Sequence, residues 1–362
     1  MLAMTSSEQT MAMQIAPVPP SALGESPFWH PADRRLYWCD IQGLRIHAWD
    51  PASGQQQSWA TPSEPGCCAP TDQGRIVIGL RDGFGLLDPA TGHITMLAGL
   101  DHDPRQFRLN DGRCDRAGRF WAGSLFAPKT APEAALWCLR AVDNGGYAVQ
   151  RMAGDCTTAN GLAFSPDDAW LYWADTPAHR IDRFAFDLDT GTLGARALWK
   201  AFAPRTQGRL YGGRPDGACV DTRGHYWVAM YEGGCVLRLD PQGEVVQRIE
   251  TPVCCPTMVC LGGEDLRTLY ITSAAHGRPE EERRAAVPAG ALMHCRVEVP
   301  GCRSTASGRR RAGPGPQAIR PAAAAAGRRW RRPAPPCRHC PGAAEGHAPA
   351  ACPAPPPIGR SC

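Results

Sequence analysis

The chain has 362 residues, 43% of them hydrophobic and 20% charged, with 39 Gly and 35 Pro. This composition excludes a disordered chain, which could not bury a core, and a helical bundle, which so many turn residues would interrupt. The formal charge of +4 conceals two unlike parts: residues 302–362 hold 11 Arg against one Glu, and residues 1–301 are net −6, which gives nucleic acid no electrostatic footing.

Residues 1–20 lack a basic stretch followed by an apolar run, so they read as an extension without an export signal, which places the protein in the cytoplasm. No apolar run approaches the roughly 18 residues that span a bilayer, so no membrane partner is expected. Of the 17 Cys, 12 precede residue 302, and their irregular spacing reads as reduced thiols. The adjacent pairs Cys67-Cys68 and Cys254-Cys255 read as small core residues, since free Cys buries readily.

In chain order, short apolar runs recur at Leu36-Tyr37-Trp38-Cys39, Ile76-Val77-Ile78-Gly79, Phe120-Trp121-Ala122-Gly123, Leu171-Tyr172-Trp173-Ala174, Tyr226-Trp227-Val228-Ala229 and Leu269-Tyr270-Ile271-Thr272. Each predicts a strand. Turns such as Asp115-Arg116-Ala117-Gly118 and Pro166-Asp167-Asp168 lead into them. A second strand and a hairpin turn follow in four places, ending in Asp50-Pro51-Ala52-Ser53-Gly54, Asp88-Pro89-Ala90-Thr91-Gly92, Asp187-Leu188-Asp189-Thr190-Gly191 and Asp240-Pro241-Gln242-Gly243. Six units therefore begin near residues 25, 67, 110, 160, 216 and 257, at spacings of 42, 43, 50, 56 and 41. Units of about 40–50 residues are blade-sized. The prediction is an all-β chain, a six-bladed β-propeller around a central channel, since a β-sandwich does not require six matching units. Gly290–Val299 reads as a late strand of the sixth blade.

Four polar residues share one phase of this repeat: Glu25, Asn110, Asn160 and Asp216. In a propeller that phase is the entry to each blade's innermost strand, so the side chains converge at one end of the channel. Taken singly, Asn-Asp-Gly, Asn-Gly and Asp-Gly are ordinary turns. Four repeats in register, with Glu25 no turn former, favour a site instead. Two carboxylates and two carboxamides make a set of hard oxygen donors, suited to one divalent cation among Ca, Mg, Mn, Zn or Fe(II).

The strings Gly24-Glu25-Ser26-Pro27-Phe28-Trp29, Arg108-Leu109-Asn110-Asp111-Gly112, Gly118-Arg119-Phe120-Trp121-Ala122-Gly123, Asn160-Gly161-Leu162-Ala163-Phe164-Ser165 and Pro215-Asp216-Gly217-Ala218-Cys219-Val220-Asp221 resemble the regucalcin/gluconolactonase (senescence-marker-protein) family from about Ser21 to Gly301. The resemblance implies a six-bladed propeller with a metal site at one end of its channel, opening sugar lactones to aldonic acids. It also implies Glu25, Asn160 and Asp216 as metal ligands, Arg108 and Asn110 as substrate-binding residues, and Asp216 as the general base. One departure stands out: where some members carry an acidic sugar contact, this chain has Phe126-Ala127-Pro128-Lys129.

The chemistry is coherent with those residues. A lactone carbonyl needs a Lewis acid for its developing oxyanion and an activated water as nucleophile, and a cation with open positions supplies both. A carboxylate beside it can take the water's proton, and an Arg offers a planar fork of donors to sugar oxygens. Two other readings stay open: a promiscuous ester or phosphotriester hydrolase using the same cation, and a non-catalytic calcium-binding propeller. The expected partner is a small sugar lactone, with the chain a monomer or weak dimer.

Other signals are set aside. Gly83-Phe84-Gly85 lacks the third glycine of a dinucleotide fingerprint, Asp101-His102-Asp103 reads as a solvated charge cluster, and Cys337-Arg338-His339-Cys340 has no second half of a zinc knuckle. The chain thus divides into an extension (1–20), the propeller (21–301) and a basic Pro/Ala/Arg tail (302–362). That tail reads as disordered and dispensable, with the composition of a GC-rich gene translated in a shifted frame. The alternative reading of it is a basic arm for acidic partners.

Overall fold

A computed structural model describes residues 12–143, 145–303 and 307. A two-residue strand β1 (Gln14–Ile15) comes first. The first blade is β2 (Gly24–His30), β3 (Arg35–Asp40), β4 (Arg45–Trp49) and β5 (Gln56–Ala60); the second is β6 (Cys67–Pro70), β7 (Ile76–Gly79), β8 (Gly83–Leu87) and β9 (Ile94–Gly99). The third is β10 (Phe107–Cys114), β11 (Phe120–Phe126), β12 (Ala134–Ala141) and β13 (Tyr147–Cys156). The fourth is β14 (Ala159–Phe164), β15 (Trp170–Asp175), β16 (Arg180–Asp187) and β17 (Thr192–Ala201). The fifth is β18 (Arg214–Val220), β19 (Tyr226–Tyr231), β20 (Cys235–Leu239) and β21 (Val245–Glu250). The sixth holds β22 (Pro256–Gly262), β23 (Thr268–Ser273) and β24 (Met293–Arg296), with the single-turn helix α1 (Glu280–Arg283) in between. Each is a four-stranded antiparallel sheet, and in the sixth β1 supplies the fourth strand beside β24.

The stretch expected to be a mere extension therefore closes the ring: Gln14 pairs with His294 and Ile15 with Met293, and Ala16 N–H donates to Leu292 O at 2.9 Å. Among the described residues, no helix is long and apolar enough to cross a membrane. Apart from Cys302, Arg303 and Ser307, the tail lies outside the described residues, and so does the expectation that it is disordered.

Second strands such as β3, β15 and β19 are buried along nearly their whole length, because neighbouring blades cover both faces. Outer strands such as β9 and β21 are largely exposed. The core thus lies between blades: Cys219, Trp227 and Val236 of the fifth pack with Val259, Leu269 and Ile271 of the sixth.

The Asp-x-x-Gly turns have a mechanical role. Asp115 Oδ1 accepts the backbone N–H groups of Ala117 and Arg119, and its Oδ2 accepts Trp121 Nε1–H at 2.8 Å and Arg119 Nε–H at 2.5 Å. Asp221 repeats the arrangement on Arg223, His225, Trp227 (3.0 Å) and Arg238 (2.7 Å). One carboxylate folds the turn and anchors the buried indole of the strand that follows.

Five of the six innermost strands break register at the same place: between Glu25 and Phe28, Leu109 and Gly112, Asn160 and Ala163, Pro215 and Ala218, and Pro256 and Val259. A bulge re-aims the side chains at that point. The strand β6 has an unbroken ladder and presents Cys67 and Cys68 there, both free and buried. Cys255 is buried as expected, while Cys254 is only half-buried.

Candidate active site

The bulges bring Glu25, Asn110, Asn160 and Asp216 together, all 7% exposed or less. The positions are held by unusual backbone. Ser26, next to Glu25, has φ 48°, a left-handed conformation held by its hydroxyl, which accepts Cys68 N–H at 3.0 Å. Gly161, next to Asn160, has φ 60°, and a Cβ there would lie 2.3 Å from the Tyr226 hydroxyl that donates to Gly161 O. No other residue type fits that position.

A chain of hydrogen bonds crosses three blades. Arg108 Nη1–H donates to Asn110 Oδ1 at 2.7 Å, and Asn110 Nδ2–H donates to Asn160 Oδ1 at 2.7 Å and to Ala159 O at 2.8 Å. Asn160 Nδ2–H donates to Thr176 Oγ1 at 2.8 Å, whose hydroxyl donates to Pro215 O at 2.7 Å. These bonds fix which end of each amide is oxygen, and Asn160 Oδ1 keeps a free lone pair.

The two carboxylates are treated differently. Among the described residues, Glu25 receives the backbone N–H of Ser26, and the Asp216 carboxylate has no hydrogen-bond partner. Burial pushes Glu25 well above the usual carboxylate range, with the charges of Asp216 and Asp111 adding to the effect and Arg108 opposing it. Burial and then Asp111 push Asp216 up to about 8, against Arg214, Lys129 and Arg108. Such a pair is unstable as two anions and stable once a cation stands between them.

Among the described residues, no three His, Cys, Asp or Glu side chains are grouped closely enough to hold an ion. The donor set at the mouth is instead two carboxylates and a carboxamide oxygen, and its chemistry fits one hard divalent cation. Glu25, Asn160 and Asp216 are the residues that would hold it.

Motif reading gave no site role to four charged residues around this mouth. Asp111 lies beneath it, raised to about 6 by burial; its Oδ2 accepts Leu162 N–H at 2.8 Å and its buried Oδ1 has no partner. Arg113 reaches across the channel to Leu162 O (3.0 Å) and Ala218 O (2.6 Å). Lys129 and Arg214 stand on the Asp216 side. A signal for Arg214 existed: it precedes Asp216 by two positions, as Arg108 precedes Asn110. Asp101-His102-Asp103 has no part in the site, with His102 bonded to Arg81 O at 2.8 Å and Asp103 paired with Arg105.

The ring of six blades and the polar cluster at one channel mouth define the kind of protein this is. Residues 23–275 match the SMP-30/gluconolactonase/LRE-like family, and the chain belongs to it. It is 45% identical over 284 residues to a 6-deoxy-6-sulfogluconolactonase of Pseudomonas putida, a match covering 78% of this chain and 94% of that one. Among solved structures, a regucalcin of Agrobacterium tumefaciens, described as a calcium-binding protein, superposes with TM-score 0.75 at 28% identity, over 82% of this chain and 97% of that one. A gluconolactonase of Xanthomonas campestris superposes with TM-score 0.62 at 25% identity, over 80% and 90%.

Proposed function

We propose that this chain hydrolyses sugar lactones to aldonic acids at the channel mouth, with one divalent cation on Glu25, Asn160 and Asp216. The observation that carries the reading is the pair of buried carboxylates, Glu25 and Asp216, with no cationic side chain bonded to either among the described residues, flanked by the hydrogen-bonded pair Arg108 and Asn110. The lactonase relatives support the choice of substrate.

The cation, when bound, would polarise the lactone carbonyl and acidify a water. The protein's own groups do the rest. Arg108 and the Asn110 amide hold the sugar hydroxyls and fix the ring's orientation. Asp216, which the bound cation would keep ionised, is the carboxylate beside that water and serves as the base. It takes the proton from the water as the new C–O bond forms at the carbonyl carbon. The ring C–O bond then breaks and the proton passes to the leaving ring oxygen. A calcium-binding propeller without catalysis would need neither Arg108 nor Asn110 so placed.

The test is a panel of aldonolactones assayed with and without chelator, followed by single-cation add-back. Lactone opening that is lost on chelation and regained with one cation is expected. Undiminished turnover after chelation rejects the cation, and no turnover of any lactone rejects the function.

A further inference from the structure

We propose that Thr176 is a positioning residue of the mouth, whose hydroxyl ties the Asn160 carboxamide of the fourth blade to the Asp216 strand of the fifth. It sets the spacing at which those two side chains share one cation. This rests on the cation-dependent reading above and adds to it a group that pre-forms the site without touching cation or substrate.

Such a tie is needed because each blade is a separate sheet. Backbone ladders join the strands within a blade, and none joins β14, which carries Asn160, to β18, which carries Asp216. Two side chains bridge these strands inside the channel: Tyr226 donates to Gly161 O at 2.6 Å, and Arg113 to Leu162 O at 3.0 Å and Ala218 O at 2.6 Å. Both hold backbone that follows the ligand positions. Thr176 reaches a ligand itself. Its Oγ1 accepts Asn160 Nδ2–H at 2.8 Å and donates at 2.7 Å to the carbonyl of Pro215, the residue before Asp216.

The direction of these bonds is forced. A carbonyl oxygen only accepts, so Pro215 takes the hydroxyl proton and leaves Thr176 Oγ1 to accept from the amide. Thr176 therefore holds the nitrogen end of Asn160 while Asn110 holds the oxygen end, and the carboxamide is pinned at both. Thr176 is itself fixed. It directly follows β15, is 7% exposed, and donates its N–H to Thr158 O at 3.3 Å. The carboxylate of Asp175 beside it accepts the N–H groups of Thr157 at 3.1 Å and Thr158 at 3.2 Å. A related device serves the other carboxylate: the buried Thr257 hydroxyl of the sixth blade donates to Gly24 O, the carbonyl before Glu25. In each case the hydroxyl comes from the blade that precedes the carboxylate's own around the ring. Thr176 differs in holding a second ligand as well, so one hydroxyl fixes two of the three proposed donors relative to each other.

Calorimetric titration of the full chain with Ca²⁺, Mn²⁺ and Zn²⁺ in separate runs, with no lactone present, tests the role. Thr176→Val keeps the shape of the side chain and removes both bonds, and it should weaken cation binding about tenfold or more. Thr176→Ser keeps the hydroxyl and should restore the affinity. Where the valine variant does not fold, Thr176→Ala, which leaves room for a water, carries the same expectation. A variant that melts lower without cation yet binds it as tightly as the wild type makes Thr176 a structural contact only and rejects the proposal. A wild type that binds a cation but opens no lactone rejects the lactonase reading and leaves the positioning role to be judged by the variants' affinities. A wild type that binds none of the three ions rejects both the cation site and the role.

Discussion

At the scale of single residues, the site is a problem in placing like charges. Glu25, Asp111 and Asp216 are all buried and all pushed upward, Asp216 to about 8 and Asp111 to about 6. A carboxyl whose folded pKa is raised keeps a proton that the unfolded chain has already released. Stability therefore falls as pH rises from the unfolded value of about 4 towards the folded one. Cation-free protein should lose Tm steadily between about pH 5 and about 8, and cation-loaded protein should lose much less, because the bound ion replaces the proton. Parallel melting curves for the two forms would show that no cation bridges these carboxylates. Asp216→Ala should abolish lactone opening. Arg108→Ala should weaken polyhydroxylated lactones about tenfold more than plain aliphatic ones, since its hydrogen bond to Asn110 is lost along with its own contact. Equal losses would place Arg108 outside sugar recognition. Glu25, Asn110, Asn160 and Asp216 were legible because repetition exposes what single turns hide. Lys129 and Asp111 were visible as residues but not as neighbours of Asp216, because that relation spans blades and no local pattern records it.

At the scale of elements, a recurring device is the aspartate that folds a turn and ties down an indole. Asp221 is fully buried and serves Trp227, Arg238 and two backbone N–H groups. Removing it strands a guanidinium and an indole N–H in the interior. Asp221→Ala should cost about 3–5 kcal/mol of unfolding free energy, read by denaturant melts. A loss below about 1 kcal/mol would mean the turn holds by its glycine alone. These turns were easy to read, as were the aromatic strands they introduce, since Asp, Pro and Gly act through local backbone preference. The predicted hairpin glycines Gly54, Gly92, Gly191 and Gly243 all have positive φ. The bulges were not visible in advance, although they are what turns a row of strand residues into a converging site. A register break is a relation between two strands, and each strand alone looks regular.

At the scale of the whole molecule, the ring depends on a seam. The last blade has three strands from the end of the propeller and one from its beginning, two residues long. No periodicity can announce a two-residue strand, which is why residues 1–20 read as an extension. Deleting residues 1–17 should open the seam, lowering Tm and releasing the amides of Met293–Arg296 to hydrogen exchange before those of any inner strand. Unchanged protection there would show that the sixth blade holds without its borrowed strand.

The seam also sets an order of events during synthesis. Gln14 and Ile15 leave the ribosome ahead of every blade, yet their partners His294 and Met293 are made after five complete blades. Each blade can fold as it emerges, from contacts near in sequence, but the ring cannot close before β24 exists. Throughout translation the nascent chain carries an unpaired leading strand and a propeller open on one side, with the flanks of its first blade uncovered. Nothing assembled early can therefore be fully native, and the candidate mouth, built from blades one, three, four and five, takes its final shape only when the first and last strands of the propeller meet.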